Sequence, residues 1–313
     1  VNPDVVSHFD TLKIEELEKD KVHVSGCRGS SPPKDHKVCI NLAGGFRNGM
    51  EIILTGMDIE EKAKVFTEVL FNSVGGQEQF DEVFIELQRT DKENPTTNEQ
   101  AMASLVISVK SSNQELVGRL FSAKIIELAL ANIPGFFAES GPKSSGPVII
   151  YWPALVDSKY ITEKVHIDGK EIEVVPTSQL DYEEIYYQRE PISIDDVEIS
   201  DQKEIYFGDL FGTRSGDKGG CANLGVWAKN NLSYSFLYNF LTIEKLKELL
   251  PDLSEYKIER FELPNINSLN FYIHDILEDG VSSNNRKDGQ AKSLGEYLRV
   301  KKILVPDSIL LET

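Results

Sequence analysis

Residues 213–225 read Thr213-Arg214-Ser215-Gly216-Asp217-Lys218-Gly219-Gly220-Cys221-Ala222-Asn223-Leu224-Gly225. Two cations, one carboxylate and four glycines fall within thirteen positions, a composition suited to anion recognition. Arg214 can fork onto a carboxylate or phosphate, and Lys218 adds a mobile point charge. Ser215 and Asn223 offer further polar contacts. Gly216 and Gly219 let a ligand approach the main chain and leave its N–H donors open. Asp217 can neutralise either cation or take up a proton. The competing reading is a tight hairpin in which Asp217 satisfies Arg214 or Lys218. The segment is not a phosphate-binding Walker loop, because the Lys-Ser/Thr ending is missing. It also lacks the Gly-x-Gly-x-x-Gly order of a dinucleotide fold.

A second cationic stretch runs from Asn284 to Lys302. Arg286, Lys287, Lys292, Arg299, Lys301 and Lys302 oppose only Asp288 and Glu296. Such a patch would focus an anionic substrate or an acidic surface; its plainer reading is a solvated helix face that docks the chain's own acidic residues. Gly280, Ser282, Ser283 and Gly289 suggest a mobile loop beside it. We expect Arg286 and Lys292 to join Arg214, Ser215, Gly216, Asp217, Lys218, Gly219 and Asn223 in one ligand site. No nucleophile–base pair stands out, and Asp217 is the weak catalytic candidate. Cys221 reads as a small packing residue rather than a reactive thiol. His274 and Asp275 are neighbours that a helix would point apart. The histidines, at 8, 23, 36, 166 and 274, have no second ligand at a zinc spacing, so no metal site is expected.

Bulk properties narrow the field. The 313 residues suffice for two cores. A net charge of −18 argues against nucleic acid or an anionic membrane as partner. No apolar run reaches the roughly 18 residues of a membrane span, and no signal peptide is visible. Three cysteines, one of them unpaired by arithmetic, favour a reducing compartment. We therefore expect a cytoplasmic protein, leaving open a targeting segment upstream of Val1.

Elements that would position these residues follow from the pattern. In residues 1–176, short strands are expected at 11–17, 22–25, 37–42, 50–54, 83–87 and 104–109, with Gly44-Gly45 as a turn or bulge between strands. Ile59, Ala63, Phe66 and Leu70 mark a helix with Asp58 as N-cap. Leu116, Leu120, Ile125 and Leu128 mark another, capped by Ser112 or Asn113 and stopped before Pro134. Phe136 and Phe137 follow as aromatic anchors, and Trp152-Pro153 as a packing element. Val165–Ile172 reads as a hairpin turning at Asp168-Gly169. Residues 177–204 read as an acidic inter-domain linker, since 177–206 hold nine acidic residues against two basic ones. Residues 205–313 form a second domain. Ile205–Leu210 and Ala222–Ala228 are expected to pair around the Arg214–Gly220 loop, with Gly216 at positive φ. Helix is expected over 236–250, 268–277 and 293–299, and strand over 258–263 and 303–305. The fold class is α+β, two domains each with a mixed or antiparallel sheet and packed helices.

These residues also carry a resemblance. Arg214-Ser215-Gly216-Asp217-Lys218-Gly219 followed by Ala222-Asn223-Leu224-Gly225-Val226 resembles the C-terminal signature of the acyclic terpene utilisation (AtuA-like) family. Glu262-Leu263-Pro264, Leu269-Asn270-Phe271, Gly280-Val281-Ser282-Ser283 and Lys287–Lys292 fall in the family's order, as do Asn2-Pro3-Asp4-Val5, Pro134-Gly135-Phe136-Phe137 and Tyr151-Trp152-Pro153-Ala154-Leu155. The resemblance implies a ferredoxin-like C-terminal domain and a role in acyclic isoprenoid catabolism of the citronellol or geraniol type. Those pathways run through CoA thioesters, so a CoA ester or carboxylate is the ligand it suggests; no other cofactor is implied. Members usually carry a large glycine-rich α/β region upstream of the Asn-Pro-Asp-Val segment. The chain is therefore expected to be a C-terminal portion, with that region as partner and a homo-oligomer as its assembly. The rival expectation is a non-catalytic half that oligomerises or docks a partner, with the Arg-Ser-Gly-Asp-Lys-Gly segment purely structural.

Overall fold

The computed structural model describes residues 5–131, 133–175 and 201–311. It is an α+β structure built from antiparallel sheets. In chain order, strands β1 (Val6–His8), β2 (Lys13–Glu18), β3 (Lys21–Ser25) and β4 (Arg28–Ser30) make two ribbons, and β5 spans Asp35–Thr55. Helix α1 (Ile59–Ser73), β6 (Glu82–Gln88), β7 (Met102–Ser111), α2 (Arg119–Glu127), β8 (Phe136–Ala138) and β9 (Gly146–Asp157) follow. Then come β10 (Glu163–Ile167), β11 (Lys170–Val174), β12 (Gln202–Tyr206), α3 (Phe207–Leu210), β13 (Gly212–Lys218) and β14 (Cys221–Trp227). Last are α4 (Asn231–Phe240), α5 (Ile243–Leu249), β15 (Ile258–Leu263), β16 (Ser268–Ile273), α6 (Leu294–Arg299), β17 (Lys302–Pro306) and α7 (Asp307–Leu310).

The described residues divide into two compact units, one from Asn41–Ile150 and one from Val1–Ile40 with Tyr151–Thr313. The N-terminal ribbons belong with the C-terminal part. Asn265, for example, donates to the carbonyls of Phe9 (2.8 Å) and Leu12 (3.2 Å). The acidic stretch 176–200 lies outside the described residues; its expected end at 202–204 is already strand.

In the Asn41–Ile150 unit the sheet runs β6-β7-β5-β8, with β9 also on β5. Along β7, Ala103, Leu105, Ile107 and Val109 are buried, the alternation of a half-covered strand. They meet Phe66 and Leu70 of α1 and Phe121 and Ile125 of α2. Phe136 stacks on Phe66 at 5.0 Å, as an anchor should, whereas Phe137 stays exposed. Three local expectations need correction. Gly44-Gly45 do not separate two strands: β5 runs through them, with Gly45 at φ +87° against the Ser111 carbonyl. Asp58 stands at the N-cap of α1 in the left-handed region and makes no capping bond. Helix α2 starts only after Gly118, while Asn113 caps Glu115 in the preceding turn.

The other unit holds the sheet β13-β14-β16-β15. Ala222, Leu224, Val226, Leu269, Phe271 and Ile273 point to one face and are buried against α4, α5 and α6. Ser268–Ile273 is thus a strand, not the expected helix: the period-2 spacing of Leu269, Phe271 and Ile273 prevails once two neighbouring strands supply the ladder. The expected helix 236–250 is two helices, broken where the Thr242 hydroxyl caps the Lys245 N–H at 3.1 Å. Ile205 does not lead into the hairpin. It sits in β12, paired with Ile303 of β17, and the chain then turns through α3 into β13. The Asp168-Gly169 turn is as expected, with φ of +49° and +75° at its two central residues.

Candidate functional site

The segment 213–218 is a strand rather than a loop. β13 and β14 pair from Gly212↔Trp227 to Lys218↔Cys221, and the turn is the two residues Gly219-Gly220. Gly219 has φ +69°, as a primed two-residue turn requires of its first central residue. Gly216 does not have positive φ; an added Cβ there would meet only the Lys292 Nζ at 3.7 Å. The turn is clamped. A Cβ on Gly219 would press the Tyr151 ring at 2.8 Å, and one on Gly220 would overlap the Glu278 carbonyl oxygen. Leu277 N–H donates to the Gly220 carbonyl at 2.8 Å, and Tyr151 N–H to that of Asp279 at 3.1 Å.

Strand alternation sorts the segment's side chains. Arg214, Gly216 and Lys218 pair with Gly225, Asn223 and Cys221, on the sheet face opposite the buried core. Asn270 continues that face on β16, and the Asn223 amide donates to its Oδ1 at 3.1 Å. With hydrogen at the Cα of 216 and 225, the sheet is hollowed: the would-be Cβ of Gly225 has only the Arg214 carbonyl oxygen, at 3.6 Å, within reach. The result is a cleft of about 470 Å³. Arg214, Lys218 and Lys292 bring cations to it, Asn223 and Asn270 amides, and Trp227, Leu263 and Ile266 apolar surface. The Trp227 indole lies across Gly212, where any side chain would overlap it.

Lys218 Nζ donates to its neighbour's carbonyl, Asp217 O, at 2.9 Å. Among the described residues no carboxylate pairs with Arg214 or Lys292. Asp217 ion-pairs with neither Arg214 nor Lys218, which removes the competing reading of a self-neutralised hairpin; its side chain leaves β13 on the face opposite Arg214 and Lys218. Ser215 is buried and accepts from Gly295 N–H at 3.1 Å, so it docks α6 instead of facing the cleft. Gly219 is likewise structural.

The cationic stretch 286–302 is not one patch. Arg286 bonds Asp252 at 3.5 Å, Arg299 bonds Glu296 at 3.1 Å and Lys302 bonds Glu204 at 2.7 Å. Lys301 lies over the Tyr297 ring at 4.2 Å. Only Lys292 of the stretch lines the cleft. The loop that presents it is stapled rather than mobile. The buried Asn284 amide donates to the carbonyls of Gly280 (2.9 Å) and Gly289 (3.1 Å). Asp288 accepts from the N–H groups of Lys292 and Ser293, both at 2.8 Å, and from the Ser293 hydroxyl at 2.6 Å. Partial burial works against the Asp288 carboxylate, but the Ser293 and Lys292 hydrogen bonds outweigh it and hold the carboxyl below its ordinary pKa.

A second polar cluster adjoins the hairpin, and a helix over 268–277 would not bring it together. As a strand, Tyr272 and His274 share one face. The half-buried Cys221 thiol beside it, together with burial, pushes the Tyr272 phenol up to about 12. His274 Nε2 meets Glu259 Oε1 at 2.6 Å, and its ring stands edge-on to Tyr272 at 4.9 Å. The His274 bond, seconded by Lys257, holds the Glu259 carboxyl below its ordinary value. Among the described residues no group of His, Cys, Asp and Glu could hold a metal, and no helix is long and apolar enough to cross a membrane.

A glycine-hollowed antiparallel sheet backed by helices, with basic residues at its open face, defines an α+β protein with a ligand-sized surface cleft. Two family models match it. One, described as acyclic terpene utilisation family protein AtuA, covers residues 1–167. The other, the AtuA ferredoxin-like domain, covers 206–304, the part that carries the cleft. The chain belongs to the acyclic terpene utilisation family AtuA, and its C-terminal domain is the family's ferredoxin-like domain. No curated protein and no solved structure matches it.

Proposed function

We propose that this protein acts in the breakdown of acyclic isoprenoids of the citronellol or geraniol type and that its β13–β14–β16 cleft holds the anionic end of a pathway acid or of its CoA ester. The observation that carries the reading is the convergence of Arg214, Lys218 and Lys292 on a glycine floor, with no carboxylate among the described residues neutralising Arg214 or Lys292. A guanidinium and an ammonium without a carboxylate partner bind an incoming carboxylate or phosphate with little competition from the protein's own groups. The Trp227–Leu263–Ile266 wall gives an apolar chain somewhere to lie. Family membership supports the pathway; the cleft supports the anion.

Titration calorimetry tests this with citronellate, its CoA ester and free CoA as separate ligands. Binding of one of them that falls at least tenfold in Arg214→Ala and in Lys292→Ala is the expected result. Absence of heat with all three, or binding indifferent to both substitutions, overturns the assignment.

A further inference from the structure

The cleft face of β13 and β14 carries its groups in a fixed order along the strands. Pairing sets Trp227 opposite Gly212, Gly225 opposite Arg214, Asn223 opposite Gly216 and Cys221 opposite Lys218. These rows follow one another at two-residue steps, about 6.8 Å each in an antiparallel strand. The first row is aromatic. One face of the indole lies on the bare main chain of Gly212, since a side chain there would overlap its Cε2, Cζ2 and Nε1 atoms. Trp227 is nevertheless 43% exposed, and among the described residues no ring or cation stacks on it. The second row is open main chain at Gly225 beside Arg214. In the third, Lys292 Nζ stands over Gly216. There the Asn223 amide donates to Asn270 Oδ1, while the Nδ2 donors of Asn270 have no partner among the described residues. Lys218 ends the series.

Given the cleft's proposed role with a pathway acid or its CoA ester, we propose that this series is a nucleotide subsite. It takes the adenosine 3′,5′-bisphosphate end of the ester, with the base on the outer face of Trp227. The ribose lies over Gly225, and the phosphates meet Arg214, Lys292 and Lys218. Charge favours this end of the molecule over a free acid. One carboxylate answers a single cation of the three, whereas a phosphomonoester carries about −1.5 to −2 at neutral pH and suits both a guanidinium fork and an ammonium. Shape favours it too. An indole with one face covered and the other open is a platform for a planar base. A branched acyclic chain gains no such stacking and is served as well by Leu263 or Ile266. Ring, side-chain-free step and cations follow in the order of base, sugar and phosphate. Asn270 adds donors for ribose or phosphate oxygens, and about 470 Å³ is ample for a small-ligand site.

The test uses Trp152→Phe, a change at an exposed position that leaves Trp227 as the sole tryptophan. Adenosine 3′,5′-bisphosphate, adenosine, inorganic phosphate, citronellate and its CoA ester are titrated separately at about 0.15 M salt. Calorimetry on the unaltered chain checks the affinities. The bisphosphate is expected to quench Trp227 saturably and to bind at least tenfold more tightly than adenosine or inorganic phosphate. Trp227→Leu should weaken it about tenfold. Trp227→Phe, which keeps an aromatic face, should stay within about threefold of wild type. Bisphosphate binding that leaves Trp227 unquenched, or that inorganic phosphate equals, overturns the nucleotide subsite and leaves a plain anion site. Binding of citronellate or the ester without binding of the bisphosphate overturns it while the proposed function stands. No binding by any probe defeats both. The quenching measurement needs no substitution in the cleft, so it decides the matter even where a Trp227 variant fails to fold.

Discussion

The two glycines that the sequence presents as equals, Gly216 and Gly220, should behave oppositely when given a methyl group. At Gly220 the new Cβ overlaps the Glu278 carbonyl oxygen, a main-chain atom that cannot rotate away. Relief requires the hairpin turn to move off the 277–280 segment. Overpacking of this kind costs about 1–3 kcal/mol, and the Leu277 N–H to Gly220 carbonyl bond at 2.8 Å goes with it, adding about 0.5–1.5 kcal/mol. Gly220→Ala should therefore lose about 1.5–4.5 kcal/mol. At Gly216 the methyl meets only the mobile tip of Lys292, and the backbone is not at positive φ. Gly216→Ala should stay within about 0.5 kcal/mol of wild type. The same methyl stands on the cleft floor, so it should weaken any anion that lies against the strand. Urea unfolding followed by tryptophan fluorescence measures the stability term cleanly, because the only two tryptophans, Trp152 and Trp227, belong to the same compact unit. Calorimetry with the ligand identified above measures the affinity term. Equal destabilisation by the two substitutions, or full affinity in Gly216→Ala, would refute the assignment of one glycine to packing and the other to the cleft.

Three further outcomes follow from the same geometry. Ser215→Ala should cost about 1 kcal/mol by stranding the Gly295 N–H while leaving anion binding intact, the reverse of Arg214→Ala; parallel melts and titrations compare them. Asp288→Ala should destabilise the protein, because three donors lose their acceptor, and should weaken binding only slightly while Ser215 still anchors α6. Its folded pKa lies below the unfolded value, so the Asp288 contribution is present above about pH 4 and fades as pH falls through the folded value; wild type and Asp288→Ala should converge in acid, and a gap that stays constant to about pH 2 contradicts this. Tyr272 titrates high, at about 12; folded and unfolded chains therefore differ in its ionisation only above about pH 10, where stability is lost. Ultraviolet difference titration of wild type against Tyr272→Phe should show no phenolate from this residue near its ordinary pKa of about 10, and Cys221→Ala should bring its midpoint down.

Much of this was legible from residue order, and the failures share one cause. The Asp168-Gly169 hairpin, the apolar face of α1 and the alternation of β7 were readable because each depends on neighbours within a few positions. Residues 213–218 read as a loop in the sequence because glycine and charge signal turns locally. In an edge strand that faces a cleft, the same glycines serve close approach of another group, which only the paired strands reveal. Ser268–Ile273 carried both periods at once, and the two flanking strands selected strand. Misreading it hid the Tyr272–His274 face altogether. The cationic run 286–302 shows the same limit: Asp252, Glu204 and Glu296 pair with half of its six cations, and two of those three lie far away in sequence.

What distinguishes the Arg-Ser-Gly-Asp-Lys-Gly segment is that its alternate residues serve different masters. Even-numbered positions Arg214, Gly216 and Lys218 face the cleft; Ser215 faces the helices and ties α6 to the strand. Gly219 and Gly220 close the turn on Tyr151 and Glu278. A ligand-binding reading and a structural reading of the whole segment therefore each fit half of it, and the halves interlock. Ser215 fixes α6 from its first turn, Asp288 fixes the chain entering that helix, and between them stands Lys292, which leans over Gly216. The cation that completes the cleft is thus placed by the residues that do not enter it. This coupling explains why segments 213–225 and 287–292 lie on different elements yet meet at one strand. It also sets a clear expectation for Ser215 and Asp288 together: the double substitution should weaken anion binding by more than the sum of the two single ones, since either anchor alone still holds Lys292 near the strand. Strict additivity would mean that Lys292 is placed by its own side-chain contacts rather than by the chain on either side of it.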